Sequence, residues 1–449
     1  MKITLIQPKC PASGVSGAFF FRNIPSQGLI QLEALTPATW DVQTINENLD
    51  SIDFDEPTDV VGITALTSLA PRAYEIACEY QSRGVPVIMG GIHASVYPEE
   101  AAQHVDCVVV GEADEIWPDI LADVAAGTLQ PLYRAQRPAS LDFRYQRRPS
   151  RTKTVRISRL LPLKSTYAYF QTGRGCPIGC EFCSVAEFNG RQMRKRNIPD
   201  LIADIKTELQ EHDVDYLVFV DDNIVGDKVY ARELFTALAQ LKVRWMSQTD
   251  IRIADPDMID LAVESGLAMV FLGLESIDSE TLAHSASAAK QRWRNKYEPA
   301  IQALHDRGVS VVGSFVIGSD TDPEGIGRTT AQWAIKQRLD TAIFYVLTPL
   351  PGTRLFSRLQ TEGRILTRDW REYDVTYCVF DPNGTKTPYD VEREASEAHR
   401  AFYSLSSIIR RILRPPLWTN LALSLFMNID FRIHARKGEQ TRTSRFSVF

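Results

Sequence analysis

Long apolar runs are missing from this sequence of 449 residues. No run reaches the roughly 18 residues that a helix needs to cross a bilayer, so we predict no membrane-spanning segment. The opening stretch MKITLIQP (1–8) has too short an apolar run for a signal peptide and lacks a small-residue cleavage site. We therefore expect a cytoplasmic protein whose cysteines are reduced rather than joined in disulfides.

A large excess of charge is missing as well. The chain has 50 Lys and Arg against 56 Asp and Glu, which gives a formal net charge of −6. This balance argues against nucleic acid as a partner, because nucleic-acid binders present an excess of positive charge. Apolar residues make up 44% of the chain and charged residues 24%, a balance that is ordinary for a globular protein of two or three domains.

Cysteine is scarce, with seven residues in the whole chain, yet three of them lie within the stretch GRGCPIGCEFC (173–183). Cys176, Cys180 and Cys183 have the spacing C-x3-C-x2-C. Clustered cysteines in a reducing compartment indicate a metal or redox site. Three converging thiolates repel one another unless a cation takes up their charge, and soft thiolates suit iron–sulfur clusters, zinc or Cu(I).

A fourth ligand is absent from this local pattern. A structural zinc site takes four ligands, but no further cysteine or nearby histidine follows. A cubane iron–sulfur cluster held by three cysteines would keep one iron open, and an open position is a feature of catalytic metal sites. The alternative is a thioredoxin-like redox pair at Cys180 and Cys183, which would leave Cys176 unexplained.

Strand and helix signals alternate along residues 1–130. Continuous runs rich in valine and isoleucine at 59–64, 85–91 and 107–112 are typical of parallel strands buried on both faces. The pattern predicts a doubly wound, Rossmann-like α/β sheet, whose ligands bind beyond the carboxyl ends of the strands. The candidate binding residues at that edge are Thr64, Ser68, Gly90, Gly91, His93, Gly111 and Glu112.

Residues 131–164 are strongly basic, with ten Lys and Arg against one acid, Asp142. Prolines interrupt this stretch, and we predict a linker between two domains. The linker is either a solvated segment or a basic strap that faces an anionic substrate or cofactor.

A second α/β series occupies residues 165–390. Asp255 with Pro256, and Asp322 with Pro323, have the pattern of a helix N-cap followed by proline in the first turn. The predicted strands are 167–172, 216–221, 244–248, 269–275, 311–317 and 342–347. Six βα units in sequence predict a partial (β/α)6 barrel, with the active site at the carboxyl ends of its strands.

The remaining residues, 391–449, form a basic region with helical signals. Its stretch LWTNLALSLFMNI (417–429) is apolar but too short to span a membrane. We consider a helix that packs on the barrel, and alternatively an interfacial helix that gives peripheral contact with a membrane surface.

The motif GRGCPIGCEFC, with Phe182 before its last cysteine, resembles the signature of the radical S-adenosylmethionine (radical SAM) superfamily. Further stretches resemble the motifs on the second, fourth, fifth and sixth strands of that family, namely VFVDDNIVGD (218–227), FLGLES (271–276), SFVIGSD (314–320) and LTPLPGT (347–353). The stretch GGIHASVYPEEAAQHVDCVVVGEAD (90–114) is similar to the cobalamin-binding domain of the B12-dependent class. That class includes the hopanoid methylases and the anaerobic magnesium-protoporphyrin cyclase.

The resemblance implies three cofactors: a [4Fe-4S] cluster on the three cysteines, S-adenosylmethionine on its open iron, and cobalamin. One electron from the cluster would cleave S-adenosylmethionine and give a 5′-deoxyadenosyl radical, which would abstract hydrogen from an unactivated carbon. An external electron donor such as a flavodoxin or ferredoxin would supply that electron, and cobalamin would deliver the methyl group. The implied reaction is methyl transfer to an unactivated carbon of a small or lipid-like biosynthetic intermediate.

Two other functions stay open at this point. One is a radical SAM cyclase or oxidoreductase of another reaction type, with or without cobalamin. The other is a non-enzymatic iron–sulfur or zinc protein that binds a partner through its basic segments, although the barrel motifs argue against it.

Polar residues at the ends of the predicted barrel strands are the candidate contacts to S-adenosylmethionine. Glu275 could accept hydrogen bonds from the ribose or pair with the methionine ammonium; alternatively it is a strand-end cap or a partner of Arg252. Of Asp221 and Asp222, we expect at least one to face this site and the other to cap the following helix. The remaining candidates for cofactor contact are Phe182, Gln248 and Gly318.

Histidine is missing from the loop after the first strand. Some cobalamin domains ligate cobalt with a histidine of an Asp-x-His-x-x-Gly motif there, but this loop reads PKCPASGVSG (8–17). We therefore expect cobalamin without a histidine ligand from that motif, or alternatively a degenerate domain that binds none. His93, after a later strand, either contacts the corrin or its nucleotide tail, or packs as a structural histidine at the sheet edge.

Overall fold

Two parallel sheets form the framework of the computed structural model, which describes residues 1–10, 24–141, 145–147, 149, 151–156, 164–383, 386–412 and 424–433. The strands are β1 (Lys2–Gln7), β2 (Asp41–Asn46), β3 (Val60–Thr64), β4 (Val87–Gly90), β5 (Cys107–Val110), β6 (Leu132–Arg134), β7 (Thr152–Arg156), β8 (Lys164–Phe170), β9 (Gly173–Arg174), β10 (Arg194–Lys195), β11 (Tyr216–Phe219), β12 (Arg244–Thr249), β13 (Leu267–Glu275), β14 (Ser310–Ile317) and β15 (Thr341–Val346). The α-helices are Gln27–Leu35, Ala70–Ser82, Ile92–Val96, Pro98–Ala101, Trp117–Ala126, Ser184–Phe188, Ile198–Glu211, Lys228–Ala239, Pro256–Glu264, Ser279–Thr281, Ala288–Trp293, Tyr297–Asp306, Ile326–Lys336, Arg354–Thr361, Pro388–Phe402 and Leu405–Ile412, with a further helix over 424–433.

The first sheet has the order β2-β1-β3-β4-β5-β6, and all of its strands are parallel. It confirms the predicted Rossmann-like architecture, since the three valine-rich runs are β3, β4 and β5. The chain passes from β1 to β2 on one side and then to β3 on the other. A crevice therefore opens at the carboxyl ends of β1 and β3, where such sheets bind their ligands.

The second sheet has the order β15-β14-β13-β12-β11-β8-β7. Its strands from β8 to β15 are parallel, and they confirm the six predicted barrel strands. Each of these six strands buries a large apolar side chain, in chain order Phe170, Leu217, Trp245, Leu272, Phe315 and Phe344. Because burial of one such side chain contributes about 1.5–3 kcal/mol, this core is the main source of the barrel's stability.

Strand β7 lies in the basic segment that the sequence predicted as a linker. It pairs antiparallel with β8, at the edge of the barrel sheet. The preceding Arg151 is buried, and its guanidinium lies 5.1 Å from the ring centre of Phe170. β6 belongs to the same segment and pairs with β5. The described parts of this segment therefore contribute an edge strand to each sheet.

One of the two predicted helix starts is confirmed and the other is wrong. The helix Pro256–Glu264 begins directly after Asp255, as predicted. Asp322 caps no helix, because the next helix begins at Ile326 after Gly325. The Asp322 carboxylate instead accepts hydrogen bonds from the backbone N–H of Gly318 at 2.7 Å and of Ser319 at 3.1 Å.

The C-terminal helices pack against the barrel. The helix Pro388–Phe402 buries Val391, Ala395 and Phe402 in the barrel core. Only part of the predicted apolar stretch 417–429 can be described, since 417–423 lie outside the described residues. Among the helices that the structure describes, none combines the length and the apolar character of a membrane span.

Candidate active site

The three clustered cysteines lie on one loop, between β9 and the short helix Ser184–Phe188. The loop turns back on itself because Gly175 has a φ of +101°, and a Cβ there would lie 2.6 Å from the carbonyl oxygen of Gln192. The backbone N–H of Cys176 donates to Gly190 at 3.2 Å, which closes the loop. The sequence thus places Cys176, Cys180 and Cys183 together after the first barrel strand, as predicted.

Burial makes these thiols poor thiolates on their own. It raises the pKa of Cys180 to about 12 and that of Cys183 to about 11, and it also raises the pKa of Cys176. Thiolates at these positions therefore require a compensating cation. Among the described residues, no three His, Cys, Asp or Glu side chains are grouped to hold a single metal ion. A cubane cluster instead takes its cysteines on different irons, so this donor set fits an iron–sulfur cluster.

Two carboxylates after β11 support this loop, the buried Asp221 and the partly buried Asp222. Asp221 accepts hydrogen bonds from the backbone N–H of Thr172 at 3.0 Å and from its hydroxyl at 2.6 Å. Burial raises the pKa of Asp221 to about 7. Asp222 accepts from the backbone N–H of Gly175 and from the Asn189 side chain, each at 3.0 Å. Both carboxylates are therefore turned toward the segment that carries the cysteines.

The expectation that one of these carboxylates caps the next helix is wrong. Asp227 has that role, since its side chain accepts from the backbone N–H groups of Val229 and Tyr230 at the start of Lys228–Ala239. Asp221 and Asp222 are already engaged by the preceding strand and the cysteine loop.

Glu275 ends β13 in a left-handed conformation, with a φ of +66°. Its carboxylate pairs with the ammonium of Lys290 at 2.6 Å, and the same ammonium donates to the Gly273 carbonyl at 2.5 Å. Arg252, which the sequence offered as an alternative partner, pairs with Asp250 instead. Burial opposes the charge on Lys290, but the Glu275 carboxylate and the Cys180 thiol raise its pKa above the ordinary value. Sequence reasoning missed Lys290, because nothing in its short helix distinguishes it from a surface lysine.

The other barrel candidates lie in different settings. Phe182 is half-buried and packs on the barrel core. Gln248 has an exposed side chain, and its carbonyl oxygen accepts from the backbone N–H of Ile224 at 3.2 Å. Gly318 has a φ of +117°, and a Cβ there would lie 2.6 Å from the Val391 side chain. The structure therefore places Gly318 against the C-terminal helix.

A cavity of about 490 Å³ lies at the switch point of the first sheet. Five of the residues predicted for this edge line it, namely Thr64, Gly90, Gly91, Gly111 and Glu112. The barrel side contributes Gln171, Arg174, Phe188 and Asn189. The cavity thus lies between the two sheets, next to the segment that carries the cysteines. No histidine is among its described lining residues.

His93 and Ser68 are not among the residues that line this cavity. His93 is fully buried, and its Nε2 lies 2.9 Å from the Tyr74 hydroxyl and 3.3 Å from Glu100. Its ring packs edge-on against Trp370, and burial lowers its pKa. Of the two alternatives, the structure favours the packed histidine, because its surroundings are protein side chains.

Paired arginines join the cysteine loop to the first sheet. Arg174 and Arg194 lie opposite each other on β9 and β10. Arg174 pairs with Asp114 at 2.9 Å, and Arg194 pairs with Glu112 at 2.5 Å. Burial would raise the pKa of Glu112, but these arginines outweigh it and hold the pKa below its usual range. Glu112 therefore links the cavity wall to the segment of the cysteine loop through these ion pairs. Sequence reasoning missed both arginines.

Comparison with known proteins agrees with this arrangement. Residues 170–329 match the model of the radical SAM superfamily, and residues 32–121 match that of the B12 binding domain. The bacteriochlorophyllide d C-12(1)-methyltransferase of Chlorobaculum tepidum is 30% identical over 430 residues, which cover 93% of this chain and 90% of that protein. The C-8(2)-methyltransferase of the same organism is 29% identical over 419 residues, 90% of each chain.

A solved structure shares the whole fold. The radical SAM methyltransferase TsrM from Kitasatospora setae, solved with cobalamin and a [4Fe-4S] cluster bound, has a TM-score of 0.66. The match covers 97% of this chain and 99% of that chain at 14% identity. Both domains of the present chain therefore have the architecture found in that structure.

The fold and the site together define a radical SAM enzyme with a B12-binding domain. More narrowly, the chain belongs to the family of cobalamin-dependent radical SAM methyltransferases. This confirms the predicted family. The two matched domains also agree with the predicted cofactors, which are a [4Fe-4S] cluster, S-adenosylmethionine and cobalamin.

Proposed function

We propose that this enzyme transfers a methyl group to an unactivated carbon of a biosynthetic intermediate. One observation carries the proposal: Arg174 and Arg194 tie the cysteine loop to the wall of the cavity at the first sheet. When bound, the cluster and S-adenosylmethionine would supply radical chemistry at the cysteine loop, and cobalamin would supply a methyl group at the cavity of the first sheet. The protein then has to hold the two sites and the substrate in a fixed relation.

In this proposal the three cysteines hold the cluster, and the surrounding residues fix the shape of their loop. Asp222 and Asn189 hold the turn at Gly175, while Asp221 holds the strand end before it. Glu275 presents its carboxylate at the mouth of the barrel for contact with S-adenosylmethionine, and Lys290 fixes its orientation. Phe182, Gln248 and Gly318 stay weaker candidates for this contact.

The cavity at the first sheet is the proposed cobalamin site. Gly91 and Gly111, after β4 and β5, line this cavity, and both have positive φ angles that favour glycine. That cobalt has no histidine ligand from an Asp-x-His-x-x-Gly motif stays a prediction. Thr64 and Glu112, which line this cavity, offer polar contacts to the ligand.

For the substrate, we propose a large cyclic pigment intermediate of the tetrapyrrole class. The support is the 30% identity over nearly the full length to a protein named for action on bacteriochlorophyllide d.

Labelled S-adenosylmethionine tests this function. Anaerobically reconstituted enzyme with cobalamin and a chemical reductant is incubated with bacteriochlorophyllide d and methyl-deuterated S-adenosylmethionine. We expect a product that carries the deuterated methyl group, together with 5′-deoxyadenosine, in mass spectrometry. An unlabelled, transformed product together with 5′-deoxyadenosine would contradict methyl transfer and favour a cyclase or oxidoreductase.

Several sequence predictions stay predictions. The domain boundaries at 130, 164 and 390 are among them, as are the cytoplasmic location and the peripheral membrane contact. The exposed apolar side chains Leu425, Ile429 and Ile433, which follow one face of a helix, support such a contact. Co-sedimentation with anionic vesicles tests it, and protein that stays in the supernatant would contradict it.

A further inference from the structure

A second cavity, of about 640 Å³, opens beside the cysteine loop. Pro177, Ile178 and Gly179, which stand between two of the cysteines, form one wall. Residues of the segment 283–293 form another wall. This cavity is separate from the one at the first sheet, since the two share no lining residue.

The charge of this second cavity is strongly positive. Its lining residues include four arginines and one carboxylate, Glu181. Glu181 is engaged by Arg358 at 2.8 Å, and Arg252 is engaged by Asp250. The other three arginines of the lining form no ion pair with a described residue, and all three are exposed; they are Arg191, Arg292 and Arg354. These three arginines, which we call the arginine rim, leave an uncompensated positive surface.

The arginine rim touches the cysteine loop directly. Arg354 donates a hydrogen bond to the Gly179 carbonyl at 2.6 Å. A Cβ at Gly179 would lie 2.9 Å from the guanidinium of Arg191, so this arginine also lies against the loop. An anionic surface bound at the rim would therefore lie next to the backbone that joins Cys176 to Cys180.

We propose that the arginine rim is the docking site for a small acidic electron-carrier protein, such as a flavodoxin. This inference rests on the proposed function, in which the neighbouring thiols hold a redox cluster. The reduced carrier would lose one electron and the cluster would gain it, with no bond made or broken. Exposed charges of one sign around an open depression steer an oppositely charged protein, and they raise its association rate most at low salt.

The geometry favours a protein over a small anion. The three arginines come from three separate segments of the chain and stand exposed at the edge of the cavity. A built site for a small anion would instead hold its charged groups buried and convergent.

Charge reversal tests the docking site. Arg292→Glu is the test variant, because no hydrogen bond joins Arg292 to the cysteine loop among the described residues. We expect the Kd for a purified bacterial flavodoxin, titrated at low ionic strength, to rise roughly tenfold or more. We also expect slower reduction of the cluster by reduced flavodoxin, followed by electron paramagnetic resonance (EPR). Cleavage of S-adenosylmethionine driven by dithionite should stay at the wild-type level.

Lys336→Glu is the matched control, since it reverses one exposed charge at the end of the helix Ile326–Lys336, far from the carboxyl ends of the strands. An unchanged flavodoxin Kd in Arg292→Glu would overturn the proposal. An equal loss with dithionite would also overturn it, because the arginines would then serve a small anionic ligand. Neither result bears on the proposed methyl transfer, which is assayed with a chemical reductant.

Discussion

Lys290 is a buried cation next to the cysteine site, with 6% of its surface exposed. Its ammonium is held by the Glu275 carboxylate and the Gly273 carbonyl, and this places a compensated charge at the end of β13. The position of Glu275 could be predicted, because a polar residue at the end of an apolar strand is visible in the sequence. Its partner could not be predicted, because the sequence gives no sign that the π-helix Leu282–Ala286 and the short helix Ala288–Trp293 bring Lys290 back to the strand.

Lys290→Met should therefore destabilise the protein. Removing one partner of a buried ion pair leaves the other charge uncompensated, at a cost of about 3 kcal/mol or more in the free energy of unfolding. Chemical denaturation of the cofactor-free protein measures this change. Lys336→Met, at an exposed position, is the control and should shift the free energy by less than about 0.5 kcal/mol. Equal stability of the two variants would show that the Glu275–Lys290 pair contributes nothing net.

Strands could be predicted from the sequence where both of their faces are buried. The six barrel strands were predictable because both of their faces are covered and their residues form continuous apolar runs. β2 was not predicted, because only the last two of its residues are buried. β7 was not predicted because its polar and basic residues resemble a linker. The helix start predicted at Asp322 was wrong for a related reason. Asp322 and Pro323 have the sequence pattern of a helix N-cap, but the Asp322 carboxylate accepts a hydrogen bond from the backbone N–H of Gly318.

At the scale of an element, the substitution Gly91→Ala tests the proposed cobalamin site at the edge of the first sheet. The φ of Gly91, +95°, is strained for any side chain, and a Cβ would lie 2.8 Å from the Thr64 hydroxyl and 2.9 Å from the Ala65 carbonyl oxygen. Gly91→Ala should therefore displace the end of β3 and lower cobalamin affinity by at least about tenfold, measured by absorbance titration.

Gly127→Ala separates backbone strain from this steric effect. Gly127 also has a positive φ, of +71°, but a Cβ there would meet nothing within 4 Å. We expect a modest loss of stability and unchanged cobalamin affinity. Equal affinities for cobalamin in the two alanine variants would contradict the placement of this cofactor at the end of β4.

At the scale of the whole molecule, two sheets face each other through the carboxyl ends of their strands. The arginines of β9 and β10 hold acidic residues that follow β5, so the cysteine loop and the first cavity share one framework. Motifs in the sequence predicted both halves and their cofactors. They did not predict the ion pairs between the halves, because such pairs join residues about 60 to 80 positions apart with no local pattern.

The most direct test of the central claim is the EPR spectrum of the reduced cluster with and without S-adenosylmethionine. Anaerobically reconstituted wild-type protein should give the signal of one cluster, and the signal should change when S-adenosylmethionine binds its open iron. Cys176→Ala, Cys180→Ala and Cys183→Ala should each lose this response, while Cys78→Ala, at an exposed cysteine outside the site, should keep it. Two results would contradict a three-cysteine cluster with one open iron. One is a wild-type EPR signal that does not change when S-adenosylmethionine is added, and the other is a wild-type change of the signal in any of the three loop variants.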